Sequence, residues 1–157
     1  MQRGTLEGIF LAPKVDLPLE PRAAAEVRAG EGLVGDRHFE AGAPATRKRA
    51  LTLIAAETLA DLARQGLALA PGASRRQLVV RGLDLPRLEG RRFRIGTVLL
   101  EGTGPCRPCA HLEELTRPGV LAALEGRGGL TARVLEGGLL RVGDGIVEEP
   151  AEPGRTA

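Results

Sequence analysis

Two cysteines, Cys106 and Cys109, stand as a CxxC pair inside Pro105-Cys-Arg-Pro-Cys109. They are too few for a disulfide framework and point instead to thiol or metal chemistry. Pro105 and Pro108 restrict the backbone on either side of Arg107. A guanidinium beside a thiol favours the thiolate, the form that ligates a metal or accepts sulfur. The residues alone leave three readings open. A structural zinc needs four ligands, and His38 and His111 would have to complete the set. A redox dithiol wants the motif to open a helix after a βαβ strand, and none is evident here. Two inert buried thiols are the remaining reading.

Around this pair the positive charge is carried almost entirely by arginine, with lysine only at positions 14 and 48, and the formal net charge is +2. Arginine offers a planar fork of donors that fits phosphate and carboxylate and stays charged at any working pH. That suits fixed anion sites better than a diffuse basic surface, although an Ala/Gly/Leu/Arg-rich composition also follows from a GC-rich genome. Aromatic residues make up 2% of the chain, with three Phe and no Trp or Tyr. A reader of single-stranded nucleic acid needs aromatic platforms for base stacking, so that class is excluded as an expectation. No apolar run approaches the ~20 residues of a membrane helix, and the N-terminus lacks an apolar signal core. A cytoplasmic protein with no membrane partner is therefore expected.

The elements that must position these residues are short. With 22 Gly and 11 Pro in 157 residues, punctuation is dense and favours strands over long helices. Strands are predicted at 4–11, 24–28, 50–54, 77–80, 93–100, 130–135 and 145–148, where Val, Ile, Leu and Thr lie between turn residues. Residues 55–66 have helical spacing, with Leu59, Leu62 and Ala63 on one face and Gly66 as the stop. A second, shorter helix is predicted at 118–124. Many short strands with two or three short peripheral helices fit a mainly β fold, a closed or partly closed barrel. The expected organisation is one domain over residues 1–148 and a polar, Pro-bearing tail over 149–157.

Five segments then occur in an order that resembles the MOSC domain family, named for the C-terminal domain of molybdenum-cofactor sulfurase. They are Gly32-Leu-Val-Gly-Asp-Arg-His38-Phe, Arg75-Arg-Gln-Leu-Val-Val-Arg-Gly, Phe93-Arg-Ile-Gly-Thr-Val, Pro105-Cys-Arg-Pro-Cys109 and Arg141-Val-Gly-Asp-Gly. Each is short, and the specificity lies in the ordered set; the match as a whole spans about residues 4–148.

The resemblance implies a pyruvate-kinase-type barrel and a pocket for the pterin-dithiolene molybdenum cofactor. The family's functional cysteine falls on Cys109, either as a molybdenum ligand or as a sulfur carrier through a persulfide, while Cys106 is auxiliary. A soft metal with sulfur donors suits a thiolate, and a pterin phosphate wants arginine or backbone donors. Arg75, Arg76 and Gln77, with Gln77 where the family usually has Asn, thus become cofactor-binding candidates together with Arg107, His38 and Arg49. Gly126-Arg-Gly-Gly129 resembles a family turn whose amides could approach an anion.

The implied activity is reduction of N-hydroxylated compounds or sulfuration of the cofactor, through a separate electron-transfer protein or sulfur-donor desulfurase. Sulfurase relatives add a pyridoxal-phosphate domain, and no pyridoxal phosphate site is evident in this chain. A non-catalytic module that binds a pterin or phosphorylated ligand, and a small zinc or redox dithiol protein, remain the alternatives.

Overall fold

The computed structural model describes residues 1–151. In chain order its elements are β1 (Arg3–Leu11), β2 (Glu20–Arg22), β3 (Ala24–Arg28), β4 (Gly32–Leu33), β5 (Leu51–Ala55), α1 (Ala56–Arg64), β6 (Leu78–Arg81), β7 (Arg92–Ile95) and β8 (Val98–Pro105), followed by α2 (Ala110–Leu115), α3 (Val120–Ala123), β9 (Leu130–Glu136), β10 (Gly138–Arg141) and β11 (Gly145–Glu148). A single 3-10 turn, Leu85–Leu88, lies between β6 and β7.

The main sheet runs β11-β7-β8-β9-β5-β6-β1, and β1 pairs back onto β11, which closes a seven-stranded barrel. Closure satisfies the strand edges that an open sheet would leave unpaired. The short, fully exposed β2 hangs on β1, and β10-β3-β4 form a separate three-stranded sheet.

Alternation along the strands divides the apolar residues between two cores. Leu51, Leu53, Leu78 and Val80 face inward and join Phe93, Ile95 and Leu100 in the main core. Ile54 and Val79, one residue out of step, face outward and are covered by Leu62 of α1, Leu112 of α2, and Val120 and Leu124 around α3. The helices are held by this second cluster, as expected of peripheral elements. In α1 only Ala56 and Leu62 are buried. Gly66, at φ +82°, ends the turn that follows.

Three differences from the sequence reading matter for the site. The segment 93–100 is not one strand: Gly96, at φ +59°, and Thr97 make a two-residue hairpin, with Ile95 opposite Val98. The second arm, β8, therefore continues to Pro105 and delivers Cys106 directly from the barrel wall. Cys109 is followed by the short helix α2, which sequence periodicity did not show because only Leu112 of its six residues is buried. A β-helix-β crossover also exists within the barrel, since β5 and β6 run parallel and are joined through α1. The short strands β2, β4 and β10 were not predicted.

Glu149 donates its amide to Arg92 O and bonds the Arg94 side chain. Residues 152–157 of the expected tail lie outside the described residues. Among the described residues no helix is long and apolar enough to cross a membrane.

Candidate functional site

The end of β8 and the start of β9 are pinned together. Cys106 donates its amide to Gly129 O at 2.9 Å. A Cβ on Gly128 would collide with Cys106 O and Pro108, and one on Gly129 with Leu53 O. Gly126 has open space around it, whereas Gly128 and Gly129 serve close packing of two loops. Their carbonyls, rather than their amides, carry the contacts here.

From Cys106 to Cys109 the backbone shows neither turn nor bend, and Cys109 itself is extended at φ −137°, ψ 166°. Such a run does not fold back to bring two side chains three residues apart together. Accordingly Cys106 is buried and Cys109 is exposed. This unequal presentation of the two thiols does not favour the dithiol reading, even though a helix does follow Cys109.

The zinc reading fails. His111 lies on α2 and bonds Asp16 at 2.8 Å, while His38 sits in another loop. Among the described residues no group of three or more His, Cys, Asp or Glu could hold a metal ion.

Arg76 is buried and holds the cysteine segment from beneath. Its Nε donates to Gly128 O at 2.8 Å, Nη1 to Ser74 O, and Nη2 to both Cys106 O and Arg107 O. Burial pulls its pKa below the ordinary arginine value, against the opposing pull of Cys106; Arg49 lowers it further and Cys109 opposes. The guanidinium thus lies within electrostatic reach of both thiols, but its donors are already committed to backbone carbonyls.

Gln77 is committed in the same way. Its Oε1 accepts from the Thr52 amide at 2.9 Å, and its Nε2 donates to Asp36 Oδ2 at 2.7 Å. Asp36 is the hub of this end of the barrel. Its buried carboxylate also accepts from the Ala12 and His38 amides and from Arg37 Nη1 at 2.9 Å. In the sequence Asp36 stood out only as a member of the Gly32-Leu-Val-Gly-Asp-Arg-His38-Phe segment. The signal available was an Asp-Arg pair beside an apolar strand, which demands mutual neutralisation once buried.

The remaining candidates line the rim. Arg49 Nη2 is 3.8 Å from Cys106 Sγ. Arg75 has a left-handed backbone, φ +62°, and donates to Leu17 O at 2.9 Å. Holding a non-glycine residue there costs about 1–2 kcal/mol. Arg107 is exposed, and its side chain has no partner among the described residues. His38 is an exposed residue whose ring is partly desolvated by its neighbours. Burial, then the positive charge of Arg37, pushes its pKa below the ordinary 6.5; Asp36 opposes this, and Arg49 and Arg47 add to it.

Cys109, Arg49, Arg76, Arg107 and His38 therefore converge on one end of the barrel, and Gln77 and Arg75 stand behind them around Asp36. Arg49, Arg75 and Arg107 have no carboxylate within ion-pair distance among the described residues. An exposed thiol beside uncompensated guanidinium groups is a donor set that fits a group carrying both a soft metal and a phosphate. The two lysines, Lys14 and Lys48, are both exposed. A Schiff-base lysine is activated by desolvation, so the link to pyridoxal-phosphate sulfurases finds no support.

The family profile for the MOSC domain matches residues 34–147. None of the curated proteins matches the chain. Among solved structures, the YuaD protein from Bacillus subtilis superposes with a TM-score of 0.77 at 21% identity, covering 92% of this chain and 94% of that one. YiiM from Geobacillus stearothermophilus gives 0.72 at 20% identity, over 96% of this chain and 77% of that one. YiiM from Escherichia coli gives 0.69 at 19%, over 96% and 71%. At such identities the likeness shows a shared fold.

Proposed function

The chain belongs to the MOSC domain family, and from that premise we propose that it binds the molybdenum cofactor or carries its sulfur, with Cys109 as the working thiol. The observation that carries this reading is the exposure of Cys109 at the end of an extended segment whose other cysteine is buried. Only one of the two thiols is presented, as a metal ligand or sulfur acceptor must be.

In this reading Arg49, Arg75 and Arg107 take the phosphate of the pterin, because their charge is not already neutralised. Arg76 and Gln77 position the loops rather than touch the ligand, since their donors and acceptors are already engaged. His38 contributes a neutral imidazole near neutral pH, in keeping with its lowered pKa. The bound cofactor would supply a redox centre suited to reducing N-hydroxylated compounds.

The sulfur-carrier branch needs only this chain and a desulfurase. The Cys109 thiolate attacks the outer sulfur of the donor's persulfide, the donor leaves as its thiolate, and Cys109 keeps the sulfane sulfur. An electron-transfer protein would be the partner in the reductase branch.

Reduced protein incubated anaerobically with molybdenum cofactor and freed of excess is expected to retain metal in the wild type and in Cys106→Ser, and to lose it in Cys109→Ser. Metal retained by Cys109→Ser, with loss only when Arg49 and Arg107 are changed, would make the domain a non-catalytic pterin or phosphate module. That second reading is favoured by the same uncompensated arginines. Metal absent from all three proteins, with a persulfide detected on Cys109 by mass spectrometry after treatment with a desulfurase and cysteine, selects sulfur carriage. Absence of both would overturn the reading.

A further inference from the structure

Between Leu6 and Gly8 the pairing of β1 with β6 slips by one residue, the mark of a β-bulge. Gly8 brings no side chain to the outer face of the barrel there, and a Cβ on it would lie 2.6 Å from the ring of Phe10. The helix above does not fill the hollow, because α1 buries only Ala56 and Leu62. What results is a cleft of about 210 Å³ lined by Gly8 and Phe10 of β1, Val79 of β6, Leu59 of α1, and Leu69 and Ser74 of the loop that joins α1 to β6. Neither cysteine lines it, and no arginine does. We propose that this cleft binds a small neutral ring compound with one hydroxyl group, of the phenol class, with the ring among Phe10, Leu59 and Leu69 and the hydroxyl bonded to Ser74.

Ser74 decides the ligand class. It is 3% exposed, yet its hydroxyl has no hydrogen-bond partner among the described residues. Its carbonyl, by contrast, accepts from Arg76 Nη1 at 3.2 Å. A buried hydroxyl left unpaired is unfavourable, since it has given up water without a replacement. Nor is its oxygen sealed within the protein, so the surface it keeps opens on the cleft. A ligand hydroxyl repairs this, because both groups can donate and accept.

The body of the ligand follows from the walls. A dry cavity of about 150 Å³ lined by Leu, Ile and Phe holds benzene, so a cleft of about 210 Å³ takes one ring with a substituent. Phe10 offers that ring an aromatic neighbour, and Leu59 and Leu69 are only partly buried against the outer core, with apolar surface to spare. The charge follows from the rim. Among the described residues Glu7 is the one ionisable group lining the cleft, and Arg81 engages both of its oxygens, at 2.7 and 3.2 Å. No charge is left to offset that of an ionised ligand, which would give up its hydration for a single hydroxyl.

This inference does not rest on the chemistry assigned to Cys109. The test titrates phenol, toluene and benzoate into the full chain while backbone amide NMR signals are followed. Phenol and toluene are expected to shift the amides of Gly8, Gly72 and Val79 to saturation, and benzoate to leave them unmoved.

Ser74→Ala removes the hydroxyl and leaves the walls. It is expected to weaken phenol about threefold to tenfold, the loss of one hydrogen bond, and to leave toluene within about twofold. Its melting temperature should not fall, because no bond within the protein is lost. Leu59→Ala is expected to weaken phenol and toluene alike, by about threefold to tenfold, which places the ring against α1. Cys109→Ser is expected to change none of these affinities. Absence of saturable shifts with phenol would mean that the cleft holds water only and would overturn the proposal. So would benzoate bound as tightly as phenol, or phenol binding that Ser74→Ala leaves intact.

Discussion

The arginines of the barrel wall and those of the cysteine end are the same residue type under opposite arrangements. Along the wall most are matched to a carboxylate across or beside the strands: Arg81 to Glu7, Arg92 and Arg133 to Glu101, Arg91 to Glu148, and Arg94 to Glu136 and Glu149. At the cysteine end Arg49, Arg75, Arg76 and Arg107 meet no carboxylate. Arg75 and Arg76 bond backbone carbonyls instead. A carbonyl satisfies a donor without cancelling its charge, so positive potential accumulates where the thiol is presented. The net charge of +2 hides this, because it averages a neutral wall with a cationic end.

The sharpest way to break the contrast is to remove the one buried member of the cationic end. Arg76→Met is expected to cost about 3 kcal/mol, since it leaves several buried carbonyls without donors. For a domain of this size that lowers the melting temperature by roughly 6–12 °C. An unchanged melting temperature would show that the carbonyls of Cys106, Arg107 and Gly128 find water instead and that Arg76 is free to act as a ligand group.

Smaller in effect, Arg49→Gln and Arg107→Gln are each expected to weaken phosphate or cofactor binding about threefold to tenfold, the loss of one charge-assisted bond at a partly exposed site. Their stability should match the wild type. Arg81→Gln on the wall is the matched control and should alter neither binding nor melting. An equal loss of binding in Arg81→Gln would mean that the protein attracts anions through overall charge, and the contrast between wall and end would lose its functional meaning.

These predictions also show which parts of the molecule were legible in the sequence. The barrel was, because β1, β5, β6, β9 and β11 each carry alternating or continuous apolar runs bounded by turn residues, as does β3 of the second sheet. The hairpin at Gly96 was not, since its two turn residues sit between Ile95 and Val98 in a stretch that otherwise reads as one strand. The helix α2 was hidden because a six-residue element with one buried side chain has no period to read. At the site, the residue types were legible but their tasks were not. Arg75 and Arg76 are adjacent in sequence and chemically identical, yet one is strained and half-exposed while the other is buried beneath the cysteine loop. That division depends on a loop fifty residues away in Gly128. Asp36 was passed over for the same reason, because two of its four donors arrive from Ala12 and Gln77 only after the chain has closed on itself.

The two histidines offer the gentlest probe, because the same contrast between matched and unmatched charge sets their titration. His111 on α2 faces Asp16 first and Glu114 second, and these carboxylates raise its pKa above the ordinary 6.5. His38 is partly desolvated and lies near Arg37, Arg49 and Arg47, and its pKa is lowered. Linkage then gives opposite signs. A raised folded pKa contributes stability that is fully present below the unfolded value and is lost as pH rises through the folded pKa, which is the case of His111. A depressed one contributes stability that is present above the unfolded value and is lost as pH falls through the folded pKa, which is the case of His38. His38→Gln should therefore flatten the loss of stability on the acid side of 6.5, and His111→Gln should remove a gain. Imidazole signals followed by NMR check the ordering directly, with His38 expected to titrate at lower pH than His111. Phosphate bound at the arginine rim should narrow the gap, because an anion near Arg49 favours a protonated His38. A His38 signal that titrates above that of His111 in free protein would show that the cationic end is already neutralised, and with it the distinction between the end and the wall would fall.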